Sequence, residues 1–121
     1  MDKELFDRGI AKRKATLGDE YVNRTLNNAD EFTQPFQQAM TEWAWGFGWG
    51  DETIDVKTRS MMNLAMIGAL GKMHEWELHC RGALNNGVSK AGAAPAYAIS
   101  LSSRRSSSSA SLRLKARVSC C

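Results

Sequence analysis

The sequence predicts an all-α fold, on three observations. In the first 90 positions apolar residues recur at steps of three and four. No convincing period-two strand appears there. Glycines and an Asn-Asn pair fall where helices would stop. With 121 residues the chain is one domain's worth of sequence, long enough to bury a sizeable core.

The elements follow in order. Residues 2–16 read as a helix, with Leu5, Phe6, Ile10 and Ala11 near the helical period and Gly18 as its stop. Asp19 is placed to cap a second helix carrying Val22 and Leu26, ended by Asn27-Asn28. A third helix carries Phe36, Met40 and Trp43 on one stripe, with Phe32 a turn earlier and Pro35 in its first turn. The run WAWGFGWGDETID (43–55) alternates aromatics with glycines and reads as a loop whose tryptophans pack on the body. Its Gly-x-Gly fragments lack the preceding strand and third glycine of a phosphate-binding loop. Residues 56–70 are almost wholly apolar, which predicts a central helix buried on every side, capped by Asp55 and broken by Gly71. A last helix runs from about Lys72 to Asn85, with Gly87 in the position of a left-handed C-cap glycine.

Charge is divided unevenly. Residues 1–90 hold eleven Lys and Arg against thirteen Asp and Glu, a net of −2, while residues 91–121 hold five basic residues and no acidic one. The basic balance therefore belongs to the tail. The first residues are charged and do not form a signal peptide, and no run of about 20 apolar residues marks a membrane span. A cytoplasmic location is the expectation. The three cysteines, Cys80, Cys120 and Cys121, give no disulfide framework.

Chemistry-bearing residues concentrate in GKMHEWELHCRGALNNGVSK (71–90). His74 and His79 are five apart, about 140° around a helix, so they cannot clamp one metal ion. Cys80 follows His79 directly and lies on the apolar stripe Trp76, Cys80, Ala83, Leu84, the place of a buried structural cysteine. Glu75 and His79 are four apart and share a face, where the carboxylate can fix the imidazole's tautomer and raise its pKa. That spacing suits acid/base work and equally a surface ion pair.

Residues 1–90 resemble the small 4-carboxymuconolactone decarboxylase family. The resemblance rests on the Trp-Gly-x-x-Trp segment, the Thr-Arg-Ser helix start and the Glu-x-x-x-His-x-Arg-Gly-Ala-x-Asn-Asn-Gly helix. It implies an alkylhydroperoxidase D-like helical domain, here incomplete at the C-terminus, and ring-like homo-oligomers. It implies cofactor-free loss of CO₂ from a lactone dicarboxylate, giving 3-oxoadipate enol-lactone in aromatic-acid catabolism. The resemblance makes His79 the proton donor, with Glu75 orienting it, and makes Arg59 and Arg81 candidates for gripping the substrate carboxylates. Alkylhydroperoxidase D proteins carry Cys-x-x-Cys before the corresponding histidine. Here those positions hold Lys72 and Glu75, which argues against a thiol peroxidase. Where the family has an acidic residue after Trp-Gly, this chain has Phe47.

At Ala91 the composition changes within one residue, to a Ser/Arg-rich tail containing nine of the chain's eleven serines. Such a segment buries too little apolar surface to fold by itself, so 91–121 is expected to be disordered. The abruptness of the change is the mark of an out-of-frame continuation. A tail binding RNA or another anion is the alternative reading, and nucleic acid is not the expected partner.

Overall fold

Asp2 opens the first helix, α1 (Lys3–Leu17), by accepting hydrogen bonds from the backbone N–H groups of Glu4 and Leu5, a cap worth about 1 kcal/mol. This computed structural model describes residues 2–103. Every regular element among them is a helix. The chain divides into two compact units, Met1–Val56 and Lys57 onward.

In the first unit, Gly18 stops α1 with φ 89°. The helix α2 (Asp19–Asn27) follows at once, so Asp19 is its first residue rather than its cap, and its carboxylate complements the helix dipole. Val22 is fully buried. Asp30 and Thr33 form a reciprocal turn, the Asp30 carboxylate accepting from the Thr33 N–H and hydroxyl at 2.8 and 2.6 Å. That turn leads into the short α3 (Gln34–Ala39), with Pro35 in its first turn.

The chain does not loop after Trp43. It continues as a π-helix over Met40–Gly48, closed by the Trp49 N–H donating to the Ala44 carbonyl at 2.8 Å, a five-residue step. Buried positions recur at the spacing of that wider turn: Thr41 and Glu42, then Trp45 and Gly46, then Gly50. The same winding pairs rings along its length, Trp45 stacked on Trp49 at 5.0 Å and Trp43 tilted against Phe47 at 6.0 Å. The π-helix lies against α1, and the backbones come so close that a methyl on Gly9 would overlap the Thr41 carbonyl oxygen and one on Gly46 the Leu5 carbonyl oxygen. α1 therefore buries Gly9, Arg13 and Thr16, while Ala11 is exposed. The expected aromatic stripe is not a core stripe: Phe32 is 90% exposed, and Phe36 and Trp43 also face outward.

The second unit is built from α4 (Val56–Ala69), α5 (Met73–Asn85) and α6 (Lys90–Ser103), α4 starting at the last residue of the first unit. Both α4 and α5 end in the same way. The N–H groups of Gly71 and Lys72 return to the carbonyls of Gly68 and Ile67, and those of Gly87 and Val88 to Leu84 and Ala83. Each is a Schellman turn, and its glycine has the positive φ that the motif needs, 70° and 84°. Val88, just past the second turn, is buried with Ala83 in a core of Leu64, Trp76, Cys80, Ala93 and Ala96.

Two expectations fail in this unit. α4 is not enclosed: Met61, Met62, Met66 and Leu70 are exposed, because Leu64 and Ile67 already fill the single face it turns to the core. The compositional break at Ala91 is not a structural one. Ser89 caps α6 by accepting from the Gly92 N–H at 3.0 Å, and the alanines that follow favour a helix and are small enough to seat Ala93 and Ala96 in the core. The expected disorder of 91–121 thus fails for 91–103, and residues 104–121 lie outside the described residues.

Candidate active site

α4 and α5 run antiparallel, as two side-chain hydrogen bonds between them show. Asn86 Nδ2 donates to Ser60 Oγ at 3.0 Å near one end, and Asn63 Nδ2 meets His79 Nδ1 at 2.9 Å further along. Ser60 is buried, so the Asn-Asn-Gly turn that ends α5 is tied back to the start of α4. Trp76, Cys80 and Ala83 hold α5 against the core, and this sets the rotation at which His79 emerges toward Asn63.

His79 is half-buried and Glu75, one turn before it, is exposed. Burial lowers the imidazole's pKa from its ordinary value, and the Glu75 charge works in the opposite sense. The expected upward pull of the carboxylate is present, then, but desolvation outweighs it. The Asn63 amide is a hydrogen-bond partner of Nδ1. Asn63 is missing from the sequence-derived set although a signal was there: it is the only polar side chain between Met61 and Leu70.

Arg59 lies on α4 one turn before Asn63, and residues four apart share a helix face. It is half-buried, on the side of α4 that carries the His79 contact. Arg81 is exposed and stands two residues past His79, about 160° away around α5. Within this chain His79, Asn63 and Arg59 share one side of the helix pair, and Arg81 points from another. Cys80 is buried on the core stripe as its spacing predicts. Among the described residues no three His, Cys, Asp or Glu side chains are placed to hold a metal ion. A cleft of about 410 Å³ in the first unit, lined by Pro35, Gln38, Ala39, Glu42 and Trp43, includes none of these residues. No helix among the described residues is long and apolar enough to cross a membrane.

The description of the family whose model matches residues 34–106 is carboxymuconolactone decarboxylase. That span passes Lys90 and takes in α6. Nitrosuccinic acid decarboxylase of Metarhizium robertsii is 47% identical over 90 residues, covering 74% of this chain and 63% of that protein. The 4-carboxymuconolactone decarboxylase of Acinetobacter baylyi is 37% identical over 89 residues, covering 74% of this chain and 66% of that protein. A protein of the same name from Pseudomonas putida is 38% identical over 45 residues, 94% of its length. The chain thus spans just under two thirds of the first two relatives. No solved structure matches it.

Proposed function

The chain belongs to the carboxymuconolactone decarboxylase family, and from that membership we propose that it removes CO₂ from a small dicarboxylic acid bearing its own electron-withdrawing group. The carboxylate's C–C bond breaks, and its electron pair flows into that group. The substrate is then its own electron sink, so the reaction needs no metal or organic cofactor. In 4-carboxymuconolactone, the substrate to which the sequence resemblance points, the sink is the conjugated lactone carbonyl, and the product is 3-oxoadipate enol-lactone. The protein's task is to hold the carboxylates and stabilise the charge that develops.

The observation that carries this reading is the grouping of His79, Asn63 and Arg59 on one side of the α4–α5 pair. Arg59 is assigned a substrate carboxylate, which a guanidinium grips through two parallel hydrogen bonds. His79 is assigned the developing charge, and Glu75 the electrostatics of the imidazole. Arg81 would reach a substrate at His79 only from a second copy, which accords with the homo-oligomer implied by the family. Arg59→Gln is expected to raise KM while changing kcat little, as loss of uniform binding does, and steady-state kinetics checks it.

A second substrate has a specific observation in its favour, the 47% identity to a nitrosuccinic acid decarboxylase. A nitro group accepts the electron pair as a lactone carbonyl does, so the same residues would serve. Purified protein given each acid in turn, with CO₂ release followed, tests both readings. Turnover of either supports decarboxylation, and the ratio of kcat/KM values chooses between them. Hydroperoxide turnover dependent on Cys80, with neither acid consumed, would replace this reading by the thiol peroxidase one.

A further inference from the structure

We infer that His79 acts as a neutral hydrogen-bond donor rather than as a proton-transferring acid, and that Asn63 is the positioning residue that holds it in that form. The inference deepens the proposed function and rests on it for the identity of the charge being stabilised.

The geometry begins at the 2.9 Å contact between Asn63 Nδ2 and His79 Nδ1. An amide nitrogen only donates, so with the amide in this orientation Nδ1 accepts and carries no proton. A neutral imidazole has one ring proton, which must then sit on Nε2. Charging the ring would set an N–H on Nδ1 against the Asn63 N–H groups, and the amide would have to turn its Oδ1 to the ring to keep the contact. The surrounding charges do not impose the imidazolium. Glu75 on α5 favours it, and α6 carries no charged side chain after Lys90, its first residue, as far as Ser103. Burial of the ring favours the neutral form and outweighs Glu75.

A neutral Nε2–H is a poor proton source, since giving up its proton leaves an anionic imidazolate. It is well suited to donating a hydrogen bond to an oxygen on which charge accumulates. The C–C bond to the carboxylate breaks, CO₂ leaves, and the electron pair comes to rest on the substrate's acceptor oxygen, facing Nε2–H. Water then protonates the carbon and completes the product, and solvent takes up the hydroxide. This replaces the expectation that His79 delivers the proton.

The test uses the full chain with ¹⁵N-labelled histidine, His74→Gln separating the two imidazole signals. The expected result at neutral pH is a neutral ring protonated on Nε2. Asn63→Asp, whose carboxylate accepts, should move the proton to Nδ1, raise the midpoint of the His79 titration and lower kcat by about 10²-fold with KM nearly unchanged. His79→Gln, which keeps an N–H donor, should retain more activity than His79→Ala. For the unaltered chain kcat should hold steady as pH rises above neutrality and fall on the acid side, where the ring charges. A ring protonated on Nδ1, an imidazolium at neutral pH, or an alkaline loss of kcat tracking the His79 titration would overturn the inference. The spectrum of the unaltered chain decides the tautomer even if the variants fail to fold. If neither acid is consumed, the proposed function fails, while the tautomer still decides the assignment of Asn63.

Discussion

Arg13 is 3% exposed, and its guanidinium meets neutral oxygens: Nη1 donates to Thr41 Oγ1 at 3.1 Å and Nη2 to Gln37 Oε1 at 3.0 Å, while Nε has no hydrogen-bond partner. Burial lowers its pKa, with Tyr21 opposing. It fastens α1 to α3 and to the π-helix, but only with the desolvation of a cation set against two hydrogen bonds. Arg13→Ala should cost about 2–4 kcal/mol, since it opens a cavity and strips two acceptors of their donor. Arg13→Met, which refills the volume without a charge, should cost clearly less, and urea midpoints compare the two. His79 poses the other titration question. Its folded pKa lies below the ordinary 6.5, so the unfolded chain binds the proton more readily. Its contribution is therefore intact above about pH 6.5 and is lost as pH falls from there through the lowered folded value. His79→Gln should flatten that part of the curve, and melting temperatures from pH 7 to 5 measure the difference.

Among the elements, the contact of α1 with the π-helix depends on missing side chains. Gly9→Ala and Gly46→Ala each place a methyl on a backbone carbonyl of the facing helix, and backbone yields little. Each should destabilise by at least about 1–3 kcal/mol, read from denaturant midpoints, while Gly48→Ala, whose methyl would meet only the Trp43 carbonyl at 3.6 Å, should be mild. Gly46 and Gly48 read as loop residues in sequence because glycine marks both turns and close approaches. No local pattern announces a helix wound at five residues per hydrogen-bonded step, which the packing of α1 selects. The glycines at 18, 71 and 87 were legible because a helix end has a local cause: the positive φ that glycine accepts without strain. The spacing of Glu75 and His79 was legible in the same way. Asn63 was not, because its meaning depends on a helix sixteen positions further along. The tail misled because its composition changes at Ala91, whereas the cap that starts α6 is Ser89, before the change.

Over the molecule as a whole, the surface is unusually apolar in places. Met61, Met62 and Met66 on α4, with Leu70 at 74% exposed just past its end, form one wet patch, and Phe32, Phe36, Trp43 and Phe47 lie outward in the first unit. Patches of this kind mark association surfaces. With the homo-oligomer proposed above, Met62→Lys together with Met66→Lys should lower the mass measured by light scattering and raise solubility, without loss of helix content. An unchanged mass would place the contact elsewhere. The proposed out-of-frame origin of residues 91–121 is checked separately, by reading the other two frames of the coding DNA beyond Lys90.

The two hydrogen bonds that join α4 to α5 have a kinetic consequence. Arg59, Ser60, Asn63, His79 and Asn86 all belong to one helical hairpin, whose connection is the tight turn around Gly71. Bringing them together closes only short loops, and short loops close quickly and at small entropic cost. This grouping can assemble as soon as the hairpin does, before more distant parts of the chain have met.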